Sequence, residues 1–126
     1  MQQEAFLRGM NDPDLKYSEE ERNEIVQHMI EDRAWRAHAT KTMEECAELQ
    51  VELSKNICGQ GDRMHLLEEM ADVYISLWII QEVFDISTDD IDKAIDVKLK
   101  RNEFRHQSRK EQKRKDELEG RIFCGV

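Results

Sequence analysis

The sequence is short of the residues that interrupt helices. It has one proline and five glycines among 126 residues, and these are the residues that a helix interior tolerates least. Charged residues make up 37% and hydrophobic residues 39% of the chain, a balance typical of amphipathic helices that have one solvated face. The composition therefore predicts an all-α protein, and the length predicts one domain with one core.

Cysteines and long apolar runs are also scarce. The three cysteines are odd in number and include no CxxC pair, which argues against a disulfide framework and against a zinc knuckle. They are Cys46, Cys58 and Cys124. No run of 18 apolar residues is present, and the N-terminus lacks the charged-then-apolar pattern of a secretory signal. We therefore expect a soluble, cytoplasmic protein with reduced thiols and no membrane partner.

Positive charge is scarce before the last quarter of the chain. Residues 98–126 carry ten Lys or Arg against five Asp or Glu, so their net charge is +5 and that of residues 1–97 is −14. An acidic body is a poor ligand for a nucleic-acid polymer but a good one for divalent cations. We expect no nucleic-acid polymer as a partner, whereas the basic region could contact phosphates.

Turn residues and capping signals divide the chain. Residues 1–17 contain Asn11-Asp12-Pro13-Asp14 and have weak periodicity, so they are predicted to be an N-terminal arm. Ser18 and Glu21 have the Ser-x-x-Glu form of a capping box, which predicts a first helix from there to about Ala37. Three further helices are predicted at about Lys41 to Lys55, Leu66 to Phe84, and from Thr88 to about Phe104, where the apolar pattern fades.

These boundaries define the expected domain organisation. A helical domain spans residues 18–106, and a basic C-terminal extension spans residues 107–126, ending in the apolar, strand-like segment 121–126. The stretch from Met70 to Phe84 is apolar on almost every side. Such a helix needs cover on most of its surface, and three other short helices do not supply it, so we expect at least a homodimer.

Asp72 lies inside that apolar stretch. An ionised carboxylate removed from water costs several kcal/mol unless it is paired, hydrogen-bonded or bound to metal. Glu69 precedes it by three residues, and this spacing places both acids on one face of the helix. Like charges so close repel each other, so a positive group is expected between them.

The preceding helix repeats this pattern with Glu45 and Glu48. A capping box, Thr42-x-x-Glu45, would account for Glu45 but for neither Glu48 nor Asp72. The short loop between the two helices makes them antiparallel neighbours, so two pairs of carboxylates could converge. Oxygen ligands on rigid helices suit a hard cation, Mg²⁺ or Mn²⁺.

Groups suited to a phosphate ligand occur on the last helix. Lys98, Asn102 and Arg105 are spaced i, i+4 and i+7 and share a face. A cationic, amide-bearing face beside a carboxylate-bound metal is what a polyphosphate requires. Trp35 and His38, near the end of the first helix, either flank a ligand or pack in the core.

The two pairs of acids and the helix that follows them resemble the MazG-like, all-α nucleoside triphosphate pyrophosphohydrolases. The family's hallmark is ExxE, a spacer and ExxD, matched here by Glu45, Glu48, Glu69 and Asp72 with twenty residues between the pairs. The likeness covers about residues 35–105, including the segments KTMEECAELQVELSK, LLEEMADVYISLWIIQEVFDI and DVKLKRNEFR. It implies a four-helix bundle completed by homo-oligomerisation, as a homodimer or a dimer of dimers.

The resemblance also implies an activity, namely hydrolysis of a (deoxy)nucleoside triphosphate to the monophosphate and pyrophosphate, as in nucleotide-pool house-cleaning. It makes all four motif acids ligands of Mg²⁺, with Glu48 or Glu45 receiving the proton of the attacking water. Phosphate or sugar contacts would come from Lys98, Asn102 and Arg105. The base and ribose preferences stay open, with Trp35, His38, Tyr74 and Trp78 as candidate contacts.

Three alternatives remain at this stage. A di-iron carboxylate bundle needs Glu-x-x-His, and no histidine follows a motif acid at that spacing. A non-catalytic helical interaction module would have its acids on a solvated face, but Asp72 fits it poorly. The same fold could also act on another phosphate substrate, such as a phosphoribosyl-linked nucleotide.

Overall fold

The computed structural model of the protein describes residues 2–120, and all regular structure in that range is helical. The helices are α1 (Gln2–Met10), α2 (Glu19–Glu31), α3 (Trp35–Ile57), α4 (Arg63–Val83) and α5 (Thr88–Leu118). The all-α prediction is confirmed, with five helices in place of four. Cys124 and the strand-like segment 121–126 lie outside the described residues. None of the described helices has both the length and the apolar composition of a membrane span.

The N-terminal arm expected over residues 1–17 contains a helix, α1. It lies against α4, and its side chains Phe6 and Leu7 are partly buried. A helix of nine residues is too short to be stable alone in water. Its stability therefore depends on packing against α4, an element distant along the chain.

The predicted capping box at the start of α2 is present. The backbone N–H of Glu21 donates to Ser18 Oγ at 3.1 Å, and the backbone N–H of Ser18 donates to Glu21 Oε1 at 3.0 Å. These two bonds satisfy N–H groups that no helical carbonyl reaches. Sequence and structure therefore agree on where this helix begins.

The end of α2 differs from the prediction. The helix stops at Glu31 instead of continuing to about Ala37, and α3 begins at Trp35. At the break, the ring of His38 lies against the end of α2, and its Nε2–H donates to the carbonyl oxygen of Ile30 at 3.0 Å. A carbonyl in the last turn of α2 is thus satisfied by a side chain of α3.

The helices α3 and α4 form an antiparallel hairpin. Residues 58–62 connect them, with Gly59 at φ +75° and Asp62 accepting the backbone N–H of Met64 at 2.9 Å as the N-cap of α4. Positive φ is a conformation that glycine adopts without steric cost. Facing residues run in opposite order along the two helices, namely Glu45 with Asp72, Glu48 with Glu69, and Glu52 with His65.

Few apolar side chains are fully buried in the described chain, and polar ones are prominent among those that are. The buried hydrophobic residues are Val26 and Ile79, and the buried polar residues are His38, Glu45, Glu52 and Ser76. Four apolar side chains of α4, spaced at i, i+3, i+7 and i+10 from Leu67, remain exposed. The most exposed of them is Tyr74, with 72% of its surface accessible. We call this the α4 apolar stripe; it comprises Leu67, Met70, Tyr74 and Leu77.

The chain divides into two compact units, one up to Ile86 and one from Ser87 onward. The second unit consists of α5, whose N-cap Ser87 accepts the backbone N–H of Asp90 at 3.0 Å. Within the described part of this unit, no residue is buried. The helix continues to Leu118, well past Phe104, where the apolar pattern ends.

Candidate metal and phosphate site

The four motif acids lie on the facing sides of α3 and α4. We call Glu45, Glu48, Glu69 and Asp72 the acid cluster. Because α3 already begins at Trp35, Thr42 lies inside the helix and its hydroxyl donates to the carbonyl oxygen of His38 at 2.9 Å. Thr42 therefore caps no helix, and the capping explanation for Glu45 no longer holds.

Three of the four acids approach one another closely. One carboxylate oxygen from each of Glu45, Glu48 and Glu69 lies within 4.8 Å of the other two. Asp72 is adjacent, with its carboxyl group close enough to Glu45 for the two to interact directly. The i,i+3 spacing on two antiparallel helices thus brings three of the four predicted carboxylates together, with Asp72 beside Glu45.

Burial and mutual repulsion make two of these acids hard to ionise. Burial, followed by the neighbouring charge of Glu48, raises the pKa of Glu69 to about 7. Burial, followed by the charge of Glu45, raises the pKa of Asp72 to about 6. Both shifts favour the neutral acid, which is the response expected when like charges share a partly desolvated site without enough positive charge.

The cluster also contains oxygens that lack hydrogen-bond partners. Within residues 2–120, Glu45 Oε2 and Glu69 Oε2 are buried and no donor reaches either of them. A buried carboxylate oxygen left in this state costs free energy. A bound cation is one way to satisfy it, because a divalent ion accepts oxygen ligands from several carboxylates at once.

One cation already contacts the cluster. The Nζ of Lys41 lies 2.8 Å from Glu45 Oε1, and the other oxygen of that carboxylate is the unpartnered one. Glu45 itself is only 5% exposed. Among the residues that the structure describes, this ammonium group is the one cation paired with the four acids, so most of their charge is uncompensated.

A further acid, Glu52, extends the line of carboxylates by one turn of α3. It is 7% exposed, with Oε1 3.2 Å from Lys55 Nζ and 3.9 Å from His65 Nδ1. Its Oε2 is buried with no donor among the residues described. Its i+4 spacing from Glu48 was the available signal, because that spacing places it on the same face of α3.

Trp35 and His38 occupy different environments. His38 is 6% exposed and is held by its bond to Ile30, so its ring is part of the packing between α2 and α3. Trp35 is half exposed, packs edge-on against Phe84 with ring centroids 5.9 Å apart, and has the Arg36 guanidinium 5.2 Å from its ring centroid. Of the two, Trp35 has the more exposed ring.

The predicted phosphate contacts lie on α5. Lys98, Asn102 and Arg105 are all exposed and belong to the second compact unit. Their i, i+4 and i+7 spacing is helical as expected, so the three side chains share one face of α5. They are available to a ligand or to a second copy of the chain.

The donor set fits a hard divalent cation. Carboxylate oxygens converge from two rigid helices, two of them are unpartnered and buried, and the nearby ammonium group of Lys41 leaves negative charge in excess. Mg²⁺ and Mn²⁺ favour such oxygen ligands. Glu45, Glu48 and Glu69 are placed to hold such an ion together, and Asp72 lies beside Glu45.

The raised pKa values predict how the stability of the metal-free protein depends on pH. An acid whose pKa is higher in the folded state than in the unfolded state holds its proton more tightly when folded. In EDTA, the free energy of unfolding should therefore fall as pH rises from about 4 to about 7 and then level off. Urea unfolding at a series of pH values measures this. A stability that rises steadily across the same range would contradict these pKa shifts.

Comparison with known proteins adds no relative. No protein-family model, no curated protein and no solved structure matches this chain.

Proposed function

We propose that the protein is a metal-dependent hydrolase that converts a (deoxy)nucleoside triphosphate to the monophosphate and pyrophosphate, in the manner of the MazG-like enzymes that its motifs resemble. The observation that carries the proposal is the convergence of three glutamate carboxylates from two helices, with unpartnered buried oxygens on two of them. A merely solvated acidic face would instead leave its carboxylate oxygens open to water.

Magnesium bound at the acid cluster would neutralise the carboxylates, orient the triphosphate and lower the pKa of a bound water. In the reaction, a water oxygen forms a bond to the α-phosphorus, and the bond from that phosphorus to the bridging oxygen of pyrophosphate breaks. The water gives one proton to a carboxylate. The products are the nucleoside monophosphate and pyrophosphate.

Glu48 is the best candidate for the proton acceptor. It is exposed, whereas Glu45 is buried and its Oε1 is already engaged by Lys41. A general base must reach the water that it deprotonates, and an exposed carboxylate at the edge of the cluster meets that condition. Glu45 would then hold the cation. Spacing alone does not distinguish Glu45 from Glu48 as the general base, but the exposure of Glu48 favours it.

The proposal includes a homodimer or a dimer of dimers in which a second copy covers the α4 apolar stripe. Stable interfaces bury roughly 1,600 Å² in total and have an apolar centre. Four large side chains spaced along one face of α4 could form such a centre. In this arrangement, Lys98, Asn102 and Arg105 of one copy would contact phosphate or sugar in the site of the other.

Light scattering during gel filtration tests the assembly. At micromolar concentration, the wild-type protein should have at least twice the mass of one chain, and Tyr74→Glu should lower that mass because a buried charge weakens an apolar interface. The matched control is Tyr17→Glu, which changes an exposed tyrosine outside the helices. A wild-type monomer would contradict the proposed assembly.

Pyrophosphate release from a panel of canonical and modified (d)NTPs, with Mg²⁺ and with EDTA, tests the activity. The proposal requires release that depends on the metal, and the best substrate identifies the base and sugar preference. Absence of release from every triphosphate would overturn the proposed activity.

A further inference from the structure

A groove lined largely by positive side chains lies beside the acid cluster. It has a volume of about 350 Å³, is widely open to solvent and lies at the N-terminal end of α3. Its lining residues are Arg33, Arg36, Ala37, Thr40, Lys41 and Glu44. Three cations face one carboxylate, so the groove is suited to an anion, although the compact unit that contains it is acidic overall.

The groove and the acid cluster share a residue. Lys41 lines the groove, and its Nζ lies 2.8 Å from Glu45 Oε1 and 3.9 Å from Glu44 Oε2. Lys41 therefore belongs both to the lining of the groove and to the surroundings of the acid cluster. A ligand that bridges them would place one part near a cation held by the acid cluster and another part among the guanidinium groups.

Two further features favour an anion in the groove. The N-cap of α3, Ala34, has no side chain that can accept a hydrogen bond from the first turn, so the partial positive charge of this helix end has no side-chain oxygen to compensate it. The Arg36 guanidinium lies over the ring of Trp35, which in turn packs against Phe84. Such stacking orients the guanidinium while its N–H groups can still donate.

We propose that Arg33, Arg36 and Lys41 form the subsite for the phosphoryl groups that leave as pyrophosphate, an inference that rests on the proposed hydrolase function. Guanidinium groups bind phosphate oxygens through paired, charge-assisted hydrogen bonds. The groove supplies these donors from the same helix that carries Glu45 and Glu48. Unlike the cations of α5, these phosphate contacts belong to the same compact unit as the acid cluster.

The test uses the whole 126-residue chain and inorganic pyrophosphate as the probe. Calorimetric titration at a fixed concentration of free Mg²⁺ compares wild type with the double variant Arg33→Gln/Arg36→Gln and with Arg22→Gln, an exposed arginine of α2. We expect the double variant to bind pyrophosphate roughly tenfold or more weakly, because two charge-assisted contacts are lost. Arg22→Gln should bind as wild type does.

Steady-state kinetics separate this inference from the proposed function. With the best triphosphate, the double variant should raise KM by roughly tenfold or more, while the melting temperature of the protein stays within a degree or two of wild type, as expected for exposed positions. Unchanged KM and unchanged pyrophosphate affinity would overturn the subsite and leave the hydrolase intact. Wild-type protein that binds pyrophosphate through these arginines but hydrolyses no triphosphate would overturn the hydrolase and leave an anion site. Failure of wild type to bind pyrophosphate would overturn the subsite directly.

Discussion

Replacing Glu48 by glutamine should lower Mg²⁺-dependent pyrophosphate release by at least about 100-fold, since even residues that only support a metal ligand commonly cost 10–100-fold when changed. The substitution keeps the size of the side chain and removes its charge and its basicity. Glu48 is exposed at the edge of the cluster, so the loss should occur without unfolding. Initial rates measured with the best triphosphate of the panel provide the check.

The matched control for this experiment is Glu24→Gln. Glu24 is an exposed glutamate of α2, on a different helix from all four cluster acids, so its neutralisation changes the net charge by the same amount without touching the site. Its rate should stay within about twofold of wild type, as expected for a surface change away from the site. Equal losses in the two variants would show that net charge, and not the cluster, controls the activity.

Replacing Glu69 by glutamine should have opposite effects on stability with and without metal. In EDTA at pH 8, the variant should be more stable than wild type by about 1 kcal/mol, a value reduced from the full pKa shift because the side chain is partly exposed. The gain arises because ionised Glu69 is penalised by burial and by Glu48 in the folded state. Asp72→Asn should show the same direction, since the pKa of Asp72 is raised for similar reasons.

Metal should reverse that order. Saturating Mg²⁺ stabilises a folded protein that binds it by about 2.7 kcal/mol at one hundred times the dissociation constant, and this gain should be present in wild type and largely absent in Glu69→Gln. Thermal melting of both proteins in EDTA and in Mg²⁺ gives the four values required. A variant that is clearly less stable than wild type in EDTA would mean that Glu69 has a structural role.

The convergence of the acids was predictable from the sequence because it depends on local rules. Residues spaced i,i+3 share a helix face, and a short loop makes consecutive helices antiparallel. Together these rules bring Glu45 and Glu48 opposite Glu69 and Asp72, and the structure places them there. The start of α2 was equally predictable, because the Ser18 capping box is a local signal.

The positive groove could not be predicted, because it depends on where one helix ends and the next begins. The break between α2 and α3 has neither proline nor glycine, and the bond from His38 to Ile30 that spans it joins residues eight apart along the chain. If the first helix continued to about Ala37, as the sequence predicts, Arg33 and Arg36 would lie in its last turn. The observed break places Arg36 in the first turn of α3, on the same helix as Lys41.

The burial of Glu52 and the presence of α1 also could not be predicted from the sequence. Glu52 is hidden because α4 packs over it and brings His65 to its carboxylate, while α1 exists as a helix that packs on α4. Both features are set by contacts between elements distant along the chain. Periodicity identifies the apolar face of a helix and capping identifies its ends. Neither shows which neighbouring element covers that face.

Cation binding by the acid cluster is the central requirement of the proposed function. A titration with Mn²⁺ followed by electron paramagnetic resonance measures that binding without requiring a substrate. Wild type should bind Mn²⁺ saturably, Glu24→Gln should do the same, and Glu69→Gln should bind it roughly tenfold or more weakly. Equal affinity in wild type and Glu69→Gln, or no binding to wild type, would contradict a metal site at the acid cluster.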